Sequence, residues 1–389
     1  MDFELDERER HFRDELRSWL AANLPEAWQT SHPREPWTEA SRKIGRAWQE
    51  RLARGRFVAV DWPEAWGGRG ASVGQRIVLQ TELLRARAPR LLGHVGLDLV
   101  GPALLARGSE AQRRRFLERM RTGEELWCQG FSEPGAGSDL ASLATRAVRR
   151  GDAWVVDGQK VWTSIAEVAD WCFLLARTDP SAGKHAGISA LLVDMRTPGI
   201  TVRPLRQMSG EAEFNEVFFA DVHVPAESLL GAEGDGWKIA MDILGHERGP
   251  MWTFLFHGHL RQEIHALLDL AQARGVGADA AVRQRLAALY VDVEVLRLLG
   301  CRSSTALARG ESPGPRSSLE KLFGSELAQR LRSSAGELLG PDLLLHPDDP
   351  RAPWRGRFTR SYLHSRADTI MGGTSEIQRT VIARQLLKL

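Results

Sequence analysis

Cysteine is scarce in this chain: three residues in 389, Cys128, Cys172 and Cys301, an odd number at unrelated spacings. That excludes a disulfide framework and a cysteine zinc site, and it points to a reducing compartment. Long apolar runs are missing too, and the opening Met1-Asp2-Phe3-Glu4 carries no basic-then-apolar leader. No membrane span is expected, and the cytoplasm is the expected location. Neither sign of charge is in excess, since 52 basic and 50 acidic residues leave a net charge of +2. Nothing in that balance calls for nucleic acid or an anionic membrane as partner. The run Arg113-Arg114-Arg115 sits on amphipathic helical sequence and reads as a solvated face. Internal repeats and low-complexity tracts are absent as well.

What is present is a chain long enough, at 43% hydrophobic content, for two or three packed domains. From Asp6 to about Arg121 the pattern is helical. It opens with a cap at Asp6 and an acid at Glu9, followed by Phe12, Leu16, Trp19 and Leu20 on one face. Residues 61–70 interrupt it with an aromatic, glycine-rich loop too long for a mere connector. Between about 126 and 225 the texture turns to short β-rich runs at 153–156, 160–163, 171–176, 188–193, 200–204 and 216–224. Turn signals at 150–152, 157–158, 181–183 and 198–199 separate them, at the spacing of a small antiparallel barrel or sandwich. Helical periodicity returns over 237–273, 280–308 and 319–339, with a last helix over 374–387. The expected fold is therefore α+β: an N-terminal helical domain (1–125), a central antiparallel β-barrel or sandwich (126–230) and a C-terminal four-helix bundle (231–389). The seam between β unit and bundle is the natural ligand cleft.

Two segments carry most of the chemistry. In Trp127-Cys128-Gln129-Gly130-Phe131-Ser132-Glu133-Pro134-Gly135-Ala136-Gly137-Ser138-Asp139, the glycines let backbone N–H groups crowd an anion, Ser138 adds a hydroxyl, and Asp139 can cap the next turn. A lone glycine loop of this kind is more often a plain connector; its context decides. The second segment is Gly245-His246-Glu247-Arg248-Gly249-Pro250. A carboxylate inside an apolar helical stretch is costly unless it is protonated, paired or functional. Neighbouring Arg248 does not face it, because adjacent helical residues point in different directions. Pro250 cannot donate to the carbonyl of His246, so the backbone beside Glu247 is expected to be distorted.

Taken with 61–70, Lys160-Val161-Trp162-Thr163-Ser164, Asp221-Val222-His223-Val224-Pro225 and Gly373–Arg379, these segments resemble the acyl-CoA dehydrogenase family over almost the whole chain, in the same order. The resemblance implies an FAD enzyme, assembled as homodimers or homotetramers, that desaturates an acyl thioester and passes electrons to an electron-transferring flavoprotein. Position by position, it implies that the backbone of Gln129, Phe131 and Ser132 meets the pyrimidine edge of the flavin. Gly137 and Ser138 would lie at the pyrophosphate and the CoA arm, Trp162 against the ring, and Ser164 near flavin N5. Gly373, Thr374 and Glu376 would meet the cofactor phosphates, Glu376 being the weakest contact because its carboxylate repels them. Arg248 would touch substrate.

The family's medium-chain pattern has its base where this chain has Gly372, which cannot take a proton. The isovaleryl- and long-chain-like branches carry the carboxylate just before an Arg on the long helix, here Glu247 before Arg248. The resemblance thus implies Glu247 as the α-proton base, with the Gly372 N–H left as a donor to the thioester oxygen. Without a side chain at Gly372, a branched, long or bulky acyl group is expected, on CoA or on an acyl carrier. Where the family has Arg-x-x-Phe-Gly, this chain has Ala273-Arg274-Gly275-Val276-Gly277, and residues 341–360 replace a glycine-rich adenine-side loop with Pro, Asp and Arg. Arg274 compensates, or FAD is held more weakly, or the partner is a different chain in a hetero-oligomer. A flavin monooxygenase or oxidase on the same fold, or a non-catalytic auxiliary subunit, are the alternatives; the base and Ser138 speak against both.

Overall fold

The computed structural model describes residues 4–29, 38–247, 250–311, 314–346 and 349–389, with the backbone alone at 246, 247 and 250. Helices α1 (Glu7–Asn23), α2 (Glu39–Arg54), α3 (Val73–Arg85), α4 (Gly101–Arg107) and α5 (Glu110–Thr122) come first. Strands β1 (Trp127–Gly130), β2 (Arg146–Arg150), β3 (Ala153–Ser164), β4 (Trp171–Arg177), β5 (Ile188–Asp194), β6 (Ile200–Leu205), β7 (Phe214–Pro225) and β8 (Leu229–Leu230) follow. Then come α6 (Gly236–Glu247), α7 (Pro250–Ala273), α8 (Ala280–Ala308), α9 (Arg316–Leu339), α10 (Arg357–Asp368) and α11 (Ser375–Val381). Contacts divide the chain into two units: α2, α4–α6 and all the strands in one, α1, α3 and α7–α11 in the other.

In the first unit the strands form one sheet in the order β6-β7-β3-β2-β4-β5-β8, with β1 beside β4. The β unit anticipated from the alternating runs is present as a mixed sheet: β1 runs parallel to β4, and β2 meets β4 in parallel at Arg146 and Arg177. Residues 153–156 and 160–163 belong to one strand, β3, and the Asp157-Gly158 turn signal is a bulge within it. Glycine is required at that bulge, because Gly158 has φ +155° and a Cβ there would lie 2.4 Å from Thr145 Oγ1. Strands β1 and β2 were not among the expected runs. The four residues of β1 are too few to show a period, and in β2 only Ala147 is buried among exposed arginines.

In the second unit the cap foreseen at Asp6 is a capping box: Glu9 N–H donates to Asp6 Oδ1 (2.7 Å) and Asp6 N–H to Glu9 Oε2 (3.0 Å). It starts α1, whose Phe12, Leu16 and Leu20 are buried. The expected four-helix bundle is α7–α10, with a core built from Leu260, Ile264 and Leu267, from Leu289, Val293 and Leu296, from Leu327, Leu331 and Ala335, and from Phe358. Helix is described over Gly236–Glu247 and Pro250–Ala273 of the expected stretch 237–273, and the link between them, with the distortion expected beside Glu247, lies outside the described residues.

The bundle also buries charge. Arg332 of α9, 1% exposed, donates to both oxygens of Glu263 on α7 (2.8 and 2.9 Å) and to Asp368 on α10. One guanidinium thus joins three helices through two carboxylates. Replacing Arg332 with Leu removes the guanidinium paired with two buried carboxylates and is expected to cost about 3–5 kcal/mol. Chemical denaturation followed by far-UV circular dichroism checks this, and an unchanged midpoint contradicts it.

Candidate active site

On the sheet unit, the glycine loop leaves β1 and folds back on itself. Glu133 N–H donates to Ala136 O and Ala136 N–H to Glu133 O, both at 3.0 Å, which closes a tight turn through Pro134 and Gly135. Beyond it Gly137, Ser138 and Asp139 are exposed. The Asp139 carboxylate takes an ion pair from Lys184 at 2.7 Å and the Ser142 hydroxyl, and the Lys184 partner holds it below the usual carboxylate range. Ser138 stands next to that anchored point.

The loop is pinned from beneath by a pair that sequence reasoning left unassigned. Lys160 on β3 is fully buried, and its Nζ donates to Phe131 O (3.0 Å) and Glu133 Oε1 (2.7 Å). Glu133 further accepts from the N–H groups of Ala144 (2.6 Å) and Thr145 (2.9 Å). Burial pushes Lys160 below its ordinary value and Glu133 pulls it up. Burial alone would raise the Glu133 carboxyl, but the Lys160 ammonium and the two N–H groups hold it below its ordinary value. Each member of the pair thus offsets the burial cost of the other's charge. A signal was available: Lys160 pairs across the sheet with Val217, a fully buried core position, where a lysine needs a reason.

One residue further on, Val161 N–H donates to Ser132 O at 2.9 Å, so Phe131-Ser132 and Val161-Trp162 are stitched together. The register of β3 on β7 shifts between Lys160 and Thr163, and Trp162 within that bulge has φ +61°. Bulky residues rarely adopt that backbone, and such strain collects at functional positions. Its indole is 61% exposed and meets Phe214 edge-on, with ring centroids 6.1 Å apart. Behind it Asn215, fully buried, donates from Nδ2 to Thr163 O (3.1 Å) and Glu167 Oε2 (2.7 Å), which fixes the end of β3. Ser164, the last residue of β3, is half-buried opposite Phe214. The structure thus gathers Gln129, Phe131, Ser132, Trp162 and Ser164 at one edge of the sheet.

On the helical unit, Gly372 (φ +64°) and Gly373 (φ +95°) make the turn between α10 and α11. Thr374 caps α11 by accepting from Ile377 N–H at 3.3 Å. Gln378, 1% exposed, donates from Nε2 to Gly372 O (3.1 Å) and Gly373 O (3.2 Å) and so fixes the turn from below. Glu376 is exposed, and its carboxyl is held below its ordinary value by its own backbone N–H and by Thr374. The turn opens onto a cleft of about 890 Å³ walled by α8 and α9. Ion pairs along its walls join Asp292 to Arg330 (2.7 Å), Glu326 to Arg379 (2.6 Å) and Glu337 to Arg285. The side chain of Glu247 and the whole of Arg248 lie outside the described residues, so the roles expected of them have no geometry here. Among the described residues no cluster could hold a metal ion, and no helix is long and apolar enough to cross a membrane.

The family descriptions Acyl-CoA dehydrogenase N-terminal, middle and C-terminal domain match residues 6–124, 128–222 and 234–387 in turn. Acyl-CoA dehydrogenase IpdE1 of Mycobacterium tuberculosis is 41% identical over 389 residues, 97% of each chain. The chain belongs to the acyl-CoA dehydrogenase family. Among solved structures, the Tcur3481-Tcur3483 steroid ACAD is 30% identical with a TM-score of 0.87, covering 100% of this chain and 99% of that one. The ChsE4-ChsE5 complex from Mycobacterium tuberculosis is 31% identical with a TM-score of 0.83, at 100% and 99% coverage. This dehydrogenase is an oxidoreductase of acyl-CoA thioesters, and FAD is its cofactor. The residues present fit that cofactor: the Trp162 indole is exposed on a strained bulge, and beside it no described residue takes the Ser132 N–H. A bound flavin supplies a hydride acceptor there.

Gly373→Ala would force a non-glycine residue to φ +95° and set a Cβ 2.6 Å from Gln378 Nε2. The expected cost is about 1–3 kcal/mol with partial loss of bound FAD, checked by melting temperature and by the flavin-to-protein absorbance ratio of the purified protein. Full FAD occupancy and an unchanged melting temperature would contradict the role given to this turn.

Proposed function

We propose that this dehydrogenase desaturates the α,β-bond of a bulky or branched acyl group, of the steroid side-chain class, carried on CoA. The observation that carries the proposal is Gly372: at φ +64° it presents a backbone without a side chain where a medium-chain relative would carry its acid. The likeness to a solved steroid ACAD supports the bulky acyl group. In this reading Glu247, the last residue of α6, takes the α-proton, and the Gly372 N–H donates to the thioester oxygen as negative charge develops there. A bound FAD would supply the acceptor for the β-hydride, N5, so that loss of the α-proton to Glu247 and of the β-hydride leaves a trans-2-enoyl thioester. Ser138 and Arg248 hold the CoA arm and the substrate. Trp162, Ser164 and the backbone of Gln129, Phe131 and Ser132 would hold the flavin ring, and Gly137, Gly373, Thr374 and Glu376 would hold phosphate. Electrons then leave to an electron-transferring flavoprotein, and the cytoplasm is the proposed location.

For assembly, one observation favours a partner of a different sequence over a second copy. Where the family's Arg would reach a neighbour's FAD, this chain has Ala273, and the adjacent Arg274 is spent on Asp342 of its own chain. Two of the similar solved structures carry paired names, ChsE4-ChsE5 and Tcur3481-Tcur3483, which supports a hetero-oligomer.

The base assignment is tested with Glu247→Gln. The variant should keep bound FAD and lose about 10²–10⁴-fold in dehydrogenation of the CoA ester that bleaches the wild-type flavin. Turnover within a few-fold of wild type sinks the assignment, and a marked wild-type preference for short straight chains sinks the bulky-substrate reading.

A further inference from the structure

Lys160 sits where an uncharged side chain would be easier to bury. Its cross-strand partner Val217 is fully buried, and taking an ammonium out of water costs several kcal/mol that an apolar residue of similar size would not incur. The geometry shows where the charge is directed. Nζ reaches not only Glu133 but the carbonyl oxygen of Phe131, at 3.0 Å. That carbonyl shares its peptide group with the Ser132 N–H, which no other described residue takes. A cation bonded to a peptide oxygen polarises the group and makes its N–H a stronger donor, more so where the dielectric is low. Glu133 balances the pair's net charge, yet it meets the ammonium on another side and does not touch the Phe131 carbonyl. The effect is therefore local to one peptide.

We infer that Lys160 is a positioning residue that acts through the Phe131-Ser132 peptide to raise the reduction potential of the bound flavin. The inference rests on the reading that the Ser132 backbone meets the flavin's pyrimidine edge. That edge gains negative charge on reduction, so a strengthened donor there stabilises the reduced cofactor more than the oxidised one. Val161 N–H on Ser132 O, in the next peptide group, holds the backbone of Ser132 on its other side. Lys160 thus combines two jobs: it shapes the loop and it tunes the cofactor's appetite for a hydride.

The test uses the FAD-loaded protein without substrate, which separates it from the assignment of the base. Two variants are made: Lys160→Gln, and the double variant Lys160→Met with Glu133→Gln, which leaves no carboxylate stranded if the first folds poorly. Each should shift the equilibrium between reduced and oxidised bound flavin about tenfold toward oxidised, or about 30 mV for a two-electron couple. For a variant that holds FAD weakly, the same ratio is read from the separate affinities of the apoprotein for oxidised and reduced FAD. An unchanged ratio in both variants overturns the inference. The vibrational band of the flavin C2 carbonyl, compared with free FAD, checks its footing. A wild-type band without a hydrogen-bonding downshift shows that the pyrimidine edge lies elsewhere. A downshift of unchanged size in both variants shows that the edge is there but Lys160 does not act on it.

Discussion

A fully buried ammonium must find partners, and the partners of Lys160 organise the part of the sheet proposed to meet the cofactor. Its bonds to Phe131 O and Glu133 tie the loop after β1 to the middle of β3. Glu133 in turn gathers the N–H groups of Ala144 and Thr145, just before β2. From that fixed point follow the tight turn at Glu133–Ala136, the exposed Gly137 and Ser138 beyond it, and the bulge that holds Trp162 at φ +61°. The strain at Trp162 persists because Asn215 and Lys160 hold the strand on either side of it.

The helical unit repeats the logic with different residues. Gln378 is buried so that its amide can hold two glycine carbonyls, and the glycines alone can take the left-handed backbone that the turn requires. Arg332, deep in the bundle, joins the helices that precede this turn to α7, whose first residue is Pro250. In both units a buried polar side chain, satisfied on several sides, sets the backbone on which the proposed chemistry depends. The scaffold is specified by hydrogen bonds as much as by its apolar core.

Much of this was legible in the sequence where the cause is local. The capping box at Asp6 and Glu9, the glycine turn at Gly372-Gly373 with Thr374 as cap, and the C-terminal bundle all follow from neighbours in the chain. The residues proposed to meet the cofactor stand out as motifs in the sequence alone. What escaped were the partners distant in sequence: Glu133 with Lys160, Glu263 with Arg332 and Asp368, and Asn215 behind Thr163. A charged residue in an alternating strand reads as a solvent face until its cross-strand partner is known, and the bulges in β3 break the alternation itself.

The central claim is that Glu247 removes the α-proton while Gly372 contributes only backbone. It is tested most directly by α-hydrogen exchange in D₂O, using a CoA thioester with sulfur in place of the β-carbon so that no hydride can leave. The account predicts deuterium at the α-carbon with the FAD-loaded wild type and none above background with Glu247→Gln. Equal exchange by the two proteins would contradict it.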